Sequence, residues 1–299
     1  MNEAGSSRAL RVLGSLLLGS MLWLSAPALA ITVTATQNTT ALVNALLGSG
    51  STGIIVTGVT LSGFTQESFE TPGTFETSSG TYTNPSGTYG IGAGVVLSTG
   101  AVERYGDGAN TADDTSGVYF DLVNYGFAEA TPAQEALLDP ITTVGAETFE
   151  HFDVTELLVT FDMQPGQGYV RFNVVFGSEE YPEFTEVGYF DGFGMFLNGT
   201  NVAFVASQPV NITHPDMAAI AGTELNGVLA PGGNPLLVFG GPVNPTGNTL
   251  RFIIGDRDDS AWDSTVYISG LTAPEPGSSA ALAAALGALG VLFRARRRR

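Results

Sequence analysis

The chain has no cysteine, and no lysine either: all eleven basic residues are arginines. Without cysteine there are no disulfides, thiolate metal sites or thiol nucleophiles. Without lysine there is no Schiff base and no amine base. Histidine occurs only at 151 and 214, far apart in sequence, which offers little to a zinc site built on both. Residues 31–273 contain no Gly-x-Ser-x-Gly elbow, so most nucleophile–base pairings have no residues to form them. Positive charge is scarce as well. Seven arginines lie at the two ends, and residues 31–273 keep only Arg104, Arg171, Arg251 and Arg257 against 27 acids, a net of −23. Such a surface repels nucleic acid and anionic lipid. It suits divalent cations, basic partners or salty surroundings.

The two ends carry targeting patterns. Residues 1–30 place Arg8 and Arg11 before an apolar run from Val12 to Leu24 and close on SAPALA. The small residues Ala28 and Ala30 mark a signal-peptidase cut after Ala30. At the other end stand Pro274-Glu275-Pro276, an uncharged run from Gly277 to Phe293, and five arginines in the last six positions. Seventeen helical residues reach about 25 Å, the short limit for a bilayer core. The arginines stay cytoplasmic, so residues 31–273 lie outside. An ordinary tail anchor has this form too. The order of the three parts resembles the PEP-CTERM sorting signal of Gram-negative bacteria. That resemblance implies an exosortase-type protease as partner, cutting near the motif. It also implies only a transient inner-membrane anchor, with the protein ending at the cell surface or outside.

Between the ends, 39 glycines and 15 prolines make a turn-rich chain of alternating segments. Leu157, Val159, Phe161 and Met163 share one face. After the turn PGQG (165–168), Val170, Phe172, Val174 and Phe176 share another, a hairpin by pattern. A second hairpin is expected over 193–205 about Asn198-Gly199. Further strands are expected at 54–59, 94–98, 117–122, 236–239, 249–254 and 265–269. A helix over 40–48 has Thr40 as N-cap and Gly48 as its end, and Thr131-Pro132-Ala133-Gln134 opens a second as a capping box. Stretches 63–90 and 101–116 read as long polar loops. The fold class is all-β: one β-sandwich domain, with a jelly roll among its possible forms, and one or two short helices.

Carboxylates are concentrated in two places. Glu179, Glu180, Glu183, Glu186 and Asp191 crowd thirteen residues, and Asp256, Asp258, Asp259 and Asp263 fill GDRDDSAWD. Both groups fall at strand ends, where loops of a sandwich converge. Glu179, Glu180, Glu183, Asp191, Asp256, Asp258 and Asp263 are the candidate metal ligands. Calcium suits them, since it takes six to eight oxygen ligands. The EF-hand spacing is missing, so such a site would be assembled from separate loops. The competing reading is a solvated acidic surface, with Arg171 or Arg257 pairing one carboxylate. A glycosidase pair, for example Glu179 and Asp263, is a third reading. Tyr181, Phe184, Tyr189, Phe190 and Trp262 flank the acids and would stack an exopolysaccharide or surface glycan if exposed.

Four stretches resemble the choice-of-anchor L family: ALVNALLG at 41–48, GIGAGVVLSTG at 90–100, VVFGSEEYPEF at 174–184 with the following DGFGMFLNG, and DSTVYI at 263–268. The resemblance implies a bacterial surface or secreted domain that is found with different C-terminal anchors. It implies no particular chemistry and no catalytic residues. The function expected is structural or adhesive, outside the cell.

Overall fold

A computed structural model describes residues 31–49, 53–67, 73–106, 129–143, 149–186, 190–223, 225–258 and 262–273. The segments expected as signal peptide and sorting tail, the strand expected at 117–122 and Tyr189 lie outside the described residues. Among the described residues no helix is long and apolar enough to cross a membrane.

Two antiparallel sheets face each other. The first is built from β1 (Thr32–Ala35), β3 (Ser79–Thr83), β4 (Gly94–Ser98), β6 (Tyr169–Ser178), β9 (Gly227–Leu229), β10 (Leu237–Pro242) and β12 (Ser264–Thr272). Its order is β1-β3-β4-β12-β6, and the far edge of β6 takes β10 along its start and β9 at its end. The second holds β2 (Ile54–Ser62), β5 (His151–Met163), β7 (Gly192–Leu197), β8 (Gln208–Asn211) and β11 (Asn248–Arg257), in the order β8-β7-β11-β5-β2.

The alternation at 157–163 and 170–176 is real, but the two strands do not form a hairpin. β5 belongs to the second sheet and β6 to the first. Their apolar faces look at each other across the core, so the PGQG connection is an arch between sheets. Leu157, Val159 and Phe161 meet Val170, Phe172, Val174 and Phe176 in one buried cluster, with Leu250, Phe252 and Ile254 of β11 and Val266 and Ile268 of β12. Phe172 and Phe252 meet edge to face at 5.9 Å. Each such buried side chain contributes about 1.5–3 kcal/mol.

Other departures are local. The helix α1 (Thr39–Leu47) is capped by Asn38, whose side chain accepts from the Ala41 N–H, rather than by Thr40; Gly48 ends it as expected. Asn competes well for this position because its carbonyl oxygen reaches a free first-turn N–H. The stretch 63–90 is not a plain loop. Thr65–Glu67 pairs with Phe75–Thr77, and β3 lies inside the first sheet, its Ser79 and Gly80 buried. Small polar residues read as a loop, yet they are what fits under β1, where a side chain at Gly80 would strike the Thr34 carbonyl. Residues 102–105, expected as loop, form a 3-10 turn. In the second hairpin only Thr200–Asn201 returns beside β7, and Phe204–Val205 pairs with β8 instead. Asn201 turns the chain away by accepting from the N–H groups of Met195 and Ala203.

The helix α2 (Pro132–Thr142) has the expected capping box from Thr131 and Gln134. It lies on the outer face of the second sheet, where Leu138 meets Val154 and Ile253. Glycines make the floor for it. A Cβ at Gly192 would come within 2.8 Å of Ile141 and Thr142, and one at Gly255 within 2.8 Å of Leu138. Strand parity then turns the residues next to those glycines, Asp191 and Asp256, the other way.

Candidate metal centre

Along β11 the inward positions run Leu250, Phe252, Ile254, and the next is Asp256, with no exposed surface at all. On β7, Gly192 pairs with Gly255, so Asp191 comes up beside Asp256. On the other side of β11, the β5 ladder shifts register between Ile254 and Asp256. There Asp153 sits in the left-handed region at φ 48°, a strained position for a non-glycine residue. The first sheet supplies Asp263, just before β12. Its carboxyl lies directly over Gly100, where a Cβ would come 1.5 Å from Oδ2. The Tyr105 hydroxyl reaches that oxygen at 3.5 Å. Glu179 and Glu180 follow the end of β6 and are buried, and the Glu179 N–H donates to the Asp263 carbonyl at 3.1 Å.

The hydrogen bonds around these acids are uneven. Asp191 is held from two sides, its Oδ1 accepting from the Arg257 N–H at 3.2 Å and its Oδ2 from the Ser264 hydroxyl at 2.8 Å. Ser264 belongs to β12, so this bond ties the two sheets. Neither oxygen of Asp256 receives a hydrogen bond. The Asp191 carboxyl joins it in one only when one of the two holds a proton. Burial first, and then the charges of Asp191, Asp263 and Asp153, push the Asp256 carboxyl well above the ordinary range.

The guanidinium of Arg257 faces the opposite side of β11 by strand alternation. It donates from Nη1 to the Thr142 carbonyl at 2.9 Å and stacks 3.7 Å from the Phe149 centroid and 4.8 Å from that of Phe190. Arg104 pairs with Glu76, Arg251 with Glu156, and Arg171 is exposed. A fully buried carboxylate with no hydrogen bond at either oxygen, as Asp256 is, is costly unless a proton or a bound cation offsets its charge.

Of the candidate ligands read from the sequence, the structure brings Asp191, Asp256 and Asp263 together, with Glu179 and Glu180 buried alongside. Glu183 and Asp258 are exposed, outside the buried group, as is Glu186 of the same run. Asp153 completes the group and was not anticipated. Of the aromatics, Phe184 and Trp262 stack at 4.5 Å between centroids, Phe190 covers Arg257, and the Tyr181 ring lies on Gly227. His214 is buried, its Nε2 3.1 Å from the Val205 carbonyl.

Fold and site together define an all-β sandwich whose one end is lined with buried carboxylates. The chain belongs to the Choice-of-anchor L domain family, which it matches over residues 31–225. The family points to an exported cell-surface protein. No curated protein and no solved structure matches it. The matched span stops short of β11 and β12, yet those strands are central in their sheets, and they carry Asp256 and Asp263.

Proposed function

We propose that this is a structural or adhesive protein of the extracellular matrix whose sandwich is locked by a calcium ion. Asp153, Asp191, Asp256 and Asp263 are its ligands, with Glu179 and Glu180 adding negative charge from the first sheet. The observation that carries this reading is Asp256: a fully buried carboxylate, unbonded at both oxygens, among three others. Carboxylates and carbonyls are the ligands calcium takes. Because the acids come from both sheets, the ion would act as a clamp between them. The Phe184–Trp262 pair beside it supports a stacking surface for a matrix glycan. The hydrolase alternative is less favoured, since Glu179 and Asp263, its example pair, are only 2% and 4% exposed.

Melting the purified protein in chelator and then in millimolar calcium tests this. At a hundred times the dissociation constant, an ion that binds only the folded state adds about 2.7 kcal/mol. For a domain of this size that is roughly 5–10 °C. Magnesium at equal concentration should give much less, because it holds its waters and demands a tighter octahedron. Equal melting temperatures in chelator and calcium would leave the acids as a protonated cluster and remove the proposal.

Delivery to the surface is supported by the terminal patterns: a signal peptide cut after Ala30, and a sorting tail from Pro274-Glu275-Pro276 onward, processed by an exosortase-type protease. Mass spectrometry of surface-extracted protein should find the C-terminus near residue 276 and no arginine tail. An intact tail on surface protein would sink the processing step.

A further inference from the structure

A second group of ligating side chains converges on the outer face, separate from the interior aspartates. Glu135 and Asp139 stand one turn apart on α2 and share a helix face. His151 opens β5 beneath them. One ligand atom from each of the three lies within 4.8 Å of the others. Glu135 takes hold of the histidine twice: Oε1 accepts from the His151 backbone N–H at 2.9 Å, and Oε2 stands 2.6 Å from ring Nδ1. At the other side of the ring, Nε2 is 2.7 Å from the Thr142 hydroxyl, which itself reaches the Leu138 carbonyl at 3.2 Å.

The threonine hydroxyl has one proton, and both Nε2 at 2.7 Å and the Leu138 carbonyl at 3.2 Å can accept it. The Nδ1–Glu135 contact at 2.6 Å needs one positive centre, a ring proton or a metal ion. A ring proton links Nδ1 to Glu135 alone. A metal ion takes Nδ1, Glu135 and Asp139 together, and the converging Asp139 is what favours it.

We infer that Glu135, Asp139 and His151 form a site for a transition cation of the zinc class, distinct from the calcium centre and independent of it. Imidazole with two carboxylates suits such ions and not calcium, which seeks oxygen alone. Three protein ligands leave a fourth position for water. The Thr142 hydroxyl fixes the ring's orientation from behind, the usual device at metal-bound histidines. The ion enters from solvent, since the Glu135 side chain is 25% exposed while the histidine is 1% exposed. Its binding would pin α2 to the first residue of β5.

The experiment is a calorimetric titration of zinc chloride into the purified protein held in saturating calcium, so that the interior acids are already occupied if they bind. One zinc per chain at micromolar or tighter affinity is expected. Asp139→Asn should weaken it by at least about 10-fold. Among the described residues the Asp139 side chain makes no hydrogen bond, so this variant keeps the fold. X-ray absorption at the zinc edge should show one imidazole and oxygen ligands, a signature that a structural role for the cluster would not produce. No binding at 100-fold above micromolar zinc, or binding indifferent to Asp139→Asn, overturns the site and leaves a histidine–glutamate bond that docks α2. Failure of the calcium proposal would leave this result untouched, and the reverse holds too.

Discussion

Asp256→Asn is expected to raise the stability of the protein in chelator and to abolish most of its response to calcium. The two effects have opposite signs and a common cause. In the cation-free protein the Asp256 carboxylate has no donor and lies among Asp191, Asp263 and Asp153. An amide of the same shape removes one charge from that group and offers its neighbours an N–H donor. A buried acceptor left without a donor costs about 1–3 kcal/mol, and a charged one more, so relieving it stabilises by about that amount. The gain should grow with pH. Because the folded state raises this carboxyl above its unfolded value, the folded state binds the extra proton, and the parent loses stability as pH climbs from about 4 through the folded pKa. The slope is at most about 1.4 kcal/mol per pH unit. Near pH 4 both forms are neutral at this position and parent and variant should converge. In calcium the order reverses, since an amide oxygen is a weaker ligand and affinity should fall on the order of 100-fold. Melting curves of both proteins, with chelator and with calcium, at pH 5 and 8, measure all of this. A variant that is less stable in chelator and still gains as much from calcium would place the ion elsewhere.

How far the site was legible in the sequence depends on parity. The acidic clustering at 179–191 and 256–263 was visible, and Asp191, Asp256 and Asp263 did come together. The density of acids does not separate buried ones from exposed ones. Glu183, Glu186 and Asp258 stand in the same runs but are exposed: the first two lie in the turns after β6, and Asp258 follows β11 directly, in the left-handed region at φ 75°. Asp153 was missed because it stands alone in FEHFDV. Yet it has the odd parity of Leu157, Val159 and Phe161, just as Asp256 has the even parity of Leu250, Phe252 and Ile254. An acid at a core parity position was the available signal, and it marks both residues. The fold was legible for the same reason the hairpin was not. Alternation reveals which residues share a face, but not which sheet a strand joins. Two strands joined by a tight turn face each other as readily across a core as along a ladder. Asp139 and His151 could not be linked from sequence, since their approach depends on α2 lying over Gly192 and Gly255.

Arg257→Met is expected to cost about 2–5 kcal/mol, with a fall in melting temperature of about 10 °C, and Arg257→Lys should recover little of it. The guanidinium does three things that need its plane. It stacks between Phe149 and Phe190, and it sends Nη1 to the Thr142 carbonyl, one of the carbonyls that a helix C-terminus leaves without a partner. It also places a positive charge at the negative end of α2. A lysine ammonium offers charge without the plane or the fork, and its stronger hydration makes burial more costly. Methionine keeps much of the packing volume and loses the rest. The loss should localise: amide exchange in α2 should speed up more than in β6 or β12. The calcium increment should survive, because Asp191 is held by the backbone N–H of residue 257 and by Ser264, which neither substitution removes. Base stability and calcium response therefore separate in this variant, whereas in Asp256→Asn they move in opposite directions. If Arg257→Lys restores stability fully, charge alone matters at this position and the stacking argument fails. If either variant loses the calcium increment, the arginine side chain helps to shape the interior site from the far face of β11, and the division of labour between the two faces drawn here is wrong.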